Sequence, residues 1–138
     1  MTNKGIKLVW AGWDGDPTIG FSGRASKRWA EHLPAGTRML LYETTGRAKG
    51  SKAKGTKSIV GEVEVTGSFE DGAVIRAAEE QHDAVLPVSV AQARAEVTPV
   101  PLERVRQILE DEKWPRRGES WRPISDEEYQ ALLSAMRG

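Results

Sequence analysis

Cysteine is missing from this chain altogether, which removes disulfides, thiolate nucleophiles and cysteine-ligated zinc in one step. Histidine is nearly missing. His32 and His82 stand apart with no HxH or HxxxH spacing, so a catalytic metal has no ligand set and none is expected. No nucleophile elbow of the G-x-S-x-G type occurs. GSKAKGTK at 50–57 imitates a phosphate loop, but it ends Thr-Lys rather than Lys-Thr. It also joins strand to strand, leaving no helix N-terminus for a phosphate, so no nucleotide cofactor is expected. Apolar runs fall far short of the ~20 residues that cross a bilayer. The opening MTNKGIKLVW has no hydrophobic leader core, so the expectation is a cytoplasmic protein with no membrane partner.

What is present fits one domain spanning 1–138. At 15.2 kDa, with 38% hydrophobic and 29% charged residues, the chain can bury a core without staples. The formal net charge of zero hides an asymmetry. Between Ser22 and Lys57, Arg24, Lys27, Arg28, Arg38, Arg47, Lys49, Lys52, Lys54 and Lys57 face only Glu31 and Glu43, a net +7 balanced by −7 elsewhere. A neutral protein with one strongly basic third can hold a polyanion locally without being adhesive overall.

Three stretches define the first half: LVWAGW at 8–13, GTRMLLYETT at 36–45 and SIVGEVEVTG at 58–67. Ile6, Leu8 and Trp10 alternate with Lys7 and Val9, the period of a half-buried strand that assigns Trp10 to the core. The Gly-, Asp- and Pro-rich GWDGDPTIGFSG is a loop. A short helix follows, capped by Ser22 or Ser26, with Ala25, Trp29 and Leu33 on one face until Pro34-Ala35-Gly36 stops it. In the second strand, Met39 and Leu41 face one way and Leu40 and Tyr42 the other, which predicts cover on both sides. RAKGSKAKGTK at 47–57 has nothing to bury and is expected to be a mobile loop. In 58–66, Ile59, Gly61, Val63 and Val65 alternate with Val60, Glu62 and Glu64, and Gly61 suggests a bend or a close backbone approach.

Phe69, Val74, Ala77 and Ala78 mark a helix around 70–82. Residues 85–102 read as extended, because Ala91, Ala93, Ala95 and Val97 alternate with polar residues and Pro87, Pro99 and Pro101 oppose a long helix. Leu102, Val105, Ile108 and Leu109 form an amphipathic helix, and PRRGESWRP at 115–123 reads as irregular. A capping box, Ser125 with Glu128, opens a terminal helix whose Tyr129, Leu132, Leu133 and Met136 share a face.

Together the strands suggest a small barrel with an aromatic mouth that could take a flat ligand. Trp13 suits stacking on a base, a contact of about 1–3 kcal/mol, although the same residue could serve as a lid. Trp29 fits the core. Asp14 and Asp16 could accept from an exocyclic amine, or merely form the turn that WDGDP makes anyway. The 47–57 lysines could grip phosphates. Trp114 and Trp121, flanking Arg116-Arg117, could form a second wall, with packing of the C-terminal helices onto the barrel as the simpler role.

The order of strand, loop, short helix, PAGTRMLLYET and IVGEVEV resembles the PUA-like superfamily, its EVE, YTH and ASCH branches, with EVE nearest. The later VPLERV and SWRPISDEEYQALL are similar to the closing strand and helices of the EVE branch. The resemblance implies an α+β fold, a compact curved β-barrel of about five to six strands flanked by helices. It also implies a module that binds DNA or RNA. Such a module reads a modified base, such as a modified cytosine, by flipping it into an aromatic pocket near the end of the first strand. The matching pocket residues are Trp10, Trp13, Asp14, Phe21 and Ser22. Arg24, Lys27, Arg28, Lys49, Lys52, Lys54 and Lys57 would lie on the backbone. The Trp-Ser cage element of the YTH branch is absent, which speaks against adenine-methyl recognition. Binding rather than catalysis is the expectation. One alternative is an ASCH-like amidohydrolase acting on acylated cytidine, with Lys27 as activating amine, Thr44 or Thr45 as nucleophile and Glu62 as proton carrier, although the Lys-x-x-Thr-x-Arg-like phrase is missing. Another is a plain protein-interaction domain.

Overall fold

Alternating apolar residues give this chain its sheet. The computed structural model describes residues 4–21, 33–46, 52, 54–67, 70–71, 84–116 and 120–138. Strands β1 (Lys4–Val9), β2 (Thr18–Phe21), β3 (Arg38–Glu43), β4 (Ser58–Val65), β5 (Glu70–Asp71) and β6 (Ala84–Gln92) precede a 3-10 turn, Arg94–Glu96. Then come β7 (Val100–Pro101), helix α1 (Leu102–Leu109), β8 (Trp121–Pro123) and helix α2 (Asp126–Met136). The strands form one curled, mixed half-barrel in the order β2-β6-β4-β3-β1-β8, with β5 beside β6 and β7 beside β4. β1 and β3 run parallel, and the other pairs are antiparallel.

The central strands are covered on both sides, as the double apolar pattern of β3 requires. Met39, Leu41, Val63, Val65, Leu86 and Val88 pack on the concave face with Trp13 and Trp121. Ile6, Leu40, Tyr42 and Ile59 pack on the opposite face against Val105, Leu109, Tyr129, Leu132 and Met136 of the helices. Ser125 caps α2 by accepting from the Glu128 amide at 3.1 Å, while the Glu128 carboxylate accepts from the Ser125 amide at 2.9 Å, the reciprocal box read from sequence.

Four local expectations are corrected. The register of β4 on β3 slips between Leu41 and Tyr42, so Val60 is an extra residue. A bulge of this kind reverses the alternation, placing Ile59 with the helix-side core and Val60 with the concave one. Extended structure after β6 ends at Gln92, and Arg94–Glu96 coils into a 3-10 turn before β7. Residues 121–123 are not irregular: β8 pairs with β1 from Gly5 to Lys7. Glu70–Asp71 pairs with β6 as strand rather than opening a helix. The rest of that expected helix, and most of the one assigned to Ala25, Trp29 and Leu33, lies outside the described residues; Leu33 itself is buried on the concave face.

Candidate functional site

One carboxylate organises an end of the half-barrel. Glu43, the last residue of β3, lies in phase with Met39 and Leu41, and its side chain is 0% exposed. It accepts from the Gly12 amide at 2.8 Å, from the Thr56 amide and hydroxyl at 3.0 Å each, and from both terminal nitrogens of Arg94 at 2.5 and 3.0 Å. Arg94 Nη1 also donates to the Trp13 carbonyl at 3.1 Å. Burial by itself would raise the Glu43 pKa. The Arg94 guanidinium and the Gly12 and Thr56 donors outweigh that and hold it at about 2. The 10–16 loop, the end of the basic segment and the 3-10 turn are therefore fastened to a single group.

Around that group the expected site residues fall in different places. Trp10, assigned to the core by phase, is 38% exposed, because β1 ends at Val9 and the chain turns away through Gly12, whose φ is +96°. Trp13 is 5% exposed and packs on β4: a Cβ added at Gly61 would stand 2.7 Å from Trp13 Cη2. Asp14 and Asp16 are exposed. So are Lys52, Lys54 and Lys57. The backbone of Phe21 closes β2 opposite Ala84. Ser22, Arg24, Lys27, Arg28 and Lys49 lie outside the described residues.

Lys7 is the residue the strand pattern misplaced. It is only 3% exposed, on the same face as its partners Leu41 and Trp121. Its ammonium donates to the Leu8 carbonyl at 2.6 Å and to Ser120 Oγ at 2.8 Å. Burial lowers its pKa to about 7. The sequence carried no signal for this, because alternation along β1 does not report that the face bearing Lys7 is covered as well. The registers align Trp121, Lys7, Leu41 and Gly61 in one row across the concave face, with the Trp13 ring over Gly61. Trp121 is therefore a concave-face residue, seated over Gly5, and does not serve to pack the terminal helices.

The remaining candidates belong to the other face. Trp114 is buried edge-on to Tyr42 at 5.0 Å between ring centroids. Arg116 is paired with Asp111 at 2.7 Å, so this aromatic–basic pair does not join the Trp121 row. Glu62 accepts from the Tyr129 hydroxyl and from Gln92 Nε2 at 3.0 Å, with Arg38 at 3.8 Å. Burial first, then the bond and charge of Glu62, push the Tyr129 phenol up. Glu62 is thus a buried strut beneath α2, held away from the concave face, while Thr44 bonds to the Val9 carbonyl at 3.3 Å. Among the described residues no group of His, Asp and Glu is arranged to hold a metal ion, and no helix is long and apolar enough to cross a membrane.

No protein-family model matches the chain, and no curated protein matches it in sequence. Solved structures do match in shape. A protein from Leishmania major superposes with a TM-score of 0.67 at 14% identity, covering 97% of this chain and 94% of that one. Human THYN1, solved in complex with 5-methylcytosine-containing DNA, gives 0.64 at 9% identity over 99% of both chains. The ASCH protein of Zymomonas mobilis gives 0.54 at 12% identity over 95% and 94%. What these proteins share with the chain is the fold, an α+β curled half-barrel with flanking helices that is consistent with a PUA-like barrel.

Proposed function

We propose that this domain binds nucleic acid and recognises a modified base, a modified cytosine or one of similar shape, taken out of the stack at the Glu43 end of the sheet. The observation that carries this reading is the Glu43 fastening: Gly12 and Thr56 bond to one carboxylate, so the tryptophan loop and the basic segment meet at the same end of the sheet. There the exposed Trp10 ring stands close to the Gly46 backbone, just before the 47–57 segment. Phosphates held by Lys52, Lys54 and Lys57, with Arg24, Lys27, Arg28 and Lys49, would leave a base within reach of Trp10, Trp13, Asp14, Phe21 and Ser22. The likeness to a protein solved with 5-methylcytosine DNA supports the same class of ligand.

Binding of short oligonucleotides, with and without 5-methylcytosine, measured against salt tests this. Replacing Lys52, Lys54 and Lys57 together by Ala should lower the slope of log K on log salt by about 2–3, at about 0.7–0.9 per phosphate contact. Trp10→Ala should weaken binding about 5- to 150-fold, the range expected for one stacked base. Affinity that ignores salt, or is unaltered in both variants, would reject the proposal.

A further inference from the structure

Arg94 is fastened along one edge and open along another. A guanidinium carries five N–H donors in one plane: two along its end, two along its side and one outside. Glu43 takes the end, its two oxygens accepting from Nη1 at 2.5 Å and from Nη2 at 3.0 Å. The Trp13 carbonyl takes the outer N–H of Nη1 at 3.1 Å. What remains is the side edge, the Nε–H and the second N–H of Nη2, which point the same way. No described residue accepts from Nε. Nor is it shut inside. The buried side-chain donors without a partner among the described residues are Trp13 Nε1, Trp114 Nε1 and Arg122 Nε, and the Arg94 side chain is 30% exposed. Arg38 and Arg106 differ, because they spend Nε on Glu64 and on the Trp114 carbonyl.

The backbone beneath is fixed as well. Arg94 opens the 3-10 turn, where the Ala93 amide donates to Glu96 Oε1 at 2.8 Å and the Glu96 amide to the Ala93 carbonyl at 2.9 Å. A fork locked in place loses little freedom when it binds. Its surroundings decide the ligand. Asp14 acts on Arg94 through space, and Glu43 is bonded to it. Lys54 and Lys57 lie on either side of Thr56, which bonds the same Glu43. Three cations against two carboxylates leave this spot at +1. Two parallel donors in a cationic setting, open to solvent, suit the two non-bridging oxygens of a phosphodiester and need no cavity.

We propose that the Nε–Nη2 edge of Arg94 grips one backbone phosphate of the bound strand through two parallel hydrogen bonds. The assignment rests on the reading of the domain as a nucleic-acid-binding module and adds a phosphate ligand that charge patterning passed over. Arg94 lies outside the basic 22–57 window, between two alanines. The lysines supply attraction along a strand, and a fork on one phosphate supplies position.

The Arg94 Nε–H is itself the readout, followed by nuclear magnetic resonance in nitrogen-15-labelled wild type and identified by its loss in Arg94→Lys. A short oligonucleotide should shift this proton, slow its exchange with water and couple it to phosphorus across the hydrogen bond. The Nε–H groups of Arg38 and Arg106, already bonded, should stay in place. Inorganic phosphate in place of the strand should move the Arg94 signal only at far higher concentration, since the lysines add little to a single ion. Arg94→Lys keeps a cation beside Glu43 and removes the planar fork. It should bind the strand about tenfold more weakly, the loss of a charge-assisted hydrogen bond, with the salt slope altered by less than about one contact.

Strand binding that leaves the Arg94 Nε–H unmoved, or moved without coupling to phosphorus, overturns the Arg94 assignment and leaves the nucleic-acid reading standing. So does unchanged affinity in a folded Arg94→Lys, or a response to inorganic phosphate as ready as to the strand. Should Arg94→Lys fail to fold, the wild-type resonance decides alone. Failure of wild type to bind any strand at low salt overturns both readings.

Discussion

Replacing Glu43 by Gln tests whether one carboxylate holds the end of the sheet together. The amide keeps the shape but removes the charge that Arg94 grips through two nitrogens, and it turns an N–H₂ toward donors at Gly12, Thr56 or Arg94. Removing one partner of a buried ion pair costs about 3–5 kcal/mol. Arg94 is partly exposed and can rehydrate, which places the loss near the low end, about 3 kcal/mol. The lowered pKa of Glu43 expresses the same interactions as a dependence on pH. A carboxyl moved from 4.5 to about 2 on folding contributes about 3 kcal/mol at neutral pH. The folded value is the lower one, so this stability is complete above pH 4.5 and is lost as pH falls toward 2. Urea unfolding at pH 7 should show Glu43→Gln weaker by about 3 kcal/mol, or a melting temperature lower by about 10 °C. The difference from wild type should close between pH 5 and 2. In an Arg94→Met background the same change should cost at least about 1 kcal/mol less. A loss under about 1 kcal/mol, or an equal loss in both backgrounds, would refute the fastening.

Other substitutions probe the seats of the two concave indoles and the helix side. Gly61→Ala pushes a Cβ into the Trp13 ring and should cost about 1–3 kcal/mol, with a shift in indole emission. Gly5→Ala should be worse by unfolding midpoint, because its Cβ would meet the Arg122 backbone carbonyl as well as Trp121. Tyr129→Phe removes a donor from the buried Glu62 carboxylate and should destabilise by about 1–3 kcal/mol in urea. Ser125→Ala should cost about 1 kcal/mol, read as an earlier thermal transition.

The architecture was legible where a pattern has one physical meaning. The double apolar face of 39–42 predicts a strand covered twice, and the Ser125–Glu128 box fixes where α2 starts. Gly61 predicts a close approach, which Trp13 supplies. Periodicity fails where the backbone breaks step. Val60 bulges, so every residue before it changes face, and Trp10 leaves the strand one position after Val9. Lys7 reads as solvent-facing because alternation reports polarity and not the depth of the opposite face. Glu43 and Arg94 are far apart in sequence, and no local signal marks a carboxylate at a strand end as the anchor of three other segments. The lysines of 52–57 were recognisable from charge alone; that Thr56 ties them to Gly12 was not.

The curl of the sheet stops before it closes, which leaves β2 and β8 as terminal strands among the described residues. Each is brief: four residues in β2 and three in β8, the latter ending at Pro123, which has no amide to offer. A foreign β-segment therefore finds no long ladder to extend. Among the described residues, the two ends of the sheet thus offer a second chain only a few backbone groups with which to pair.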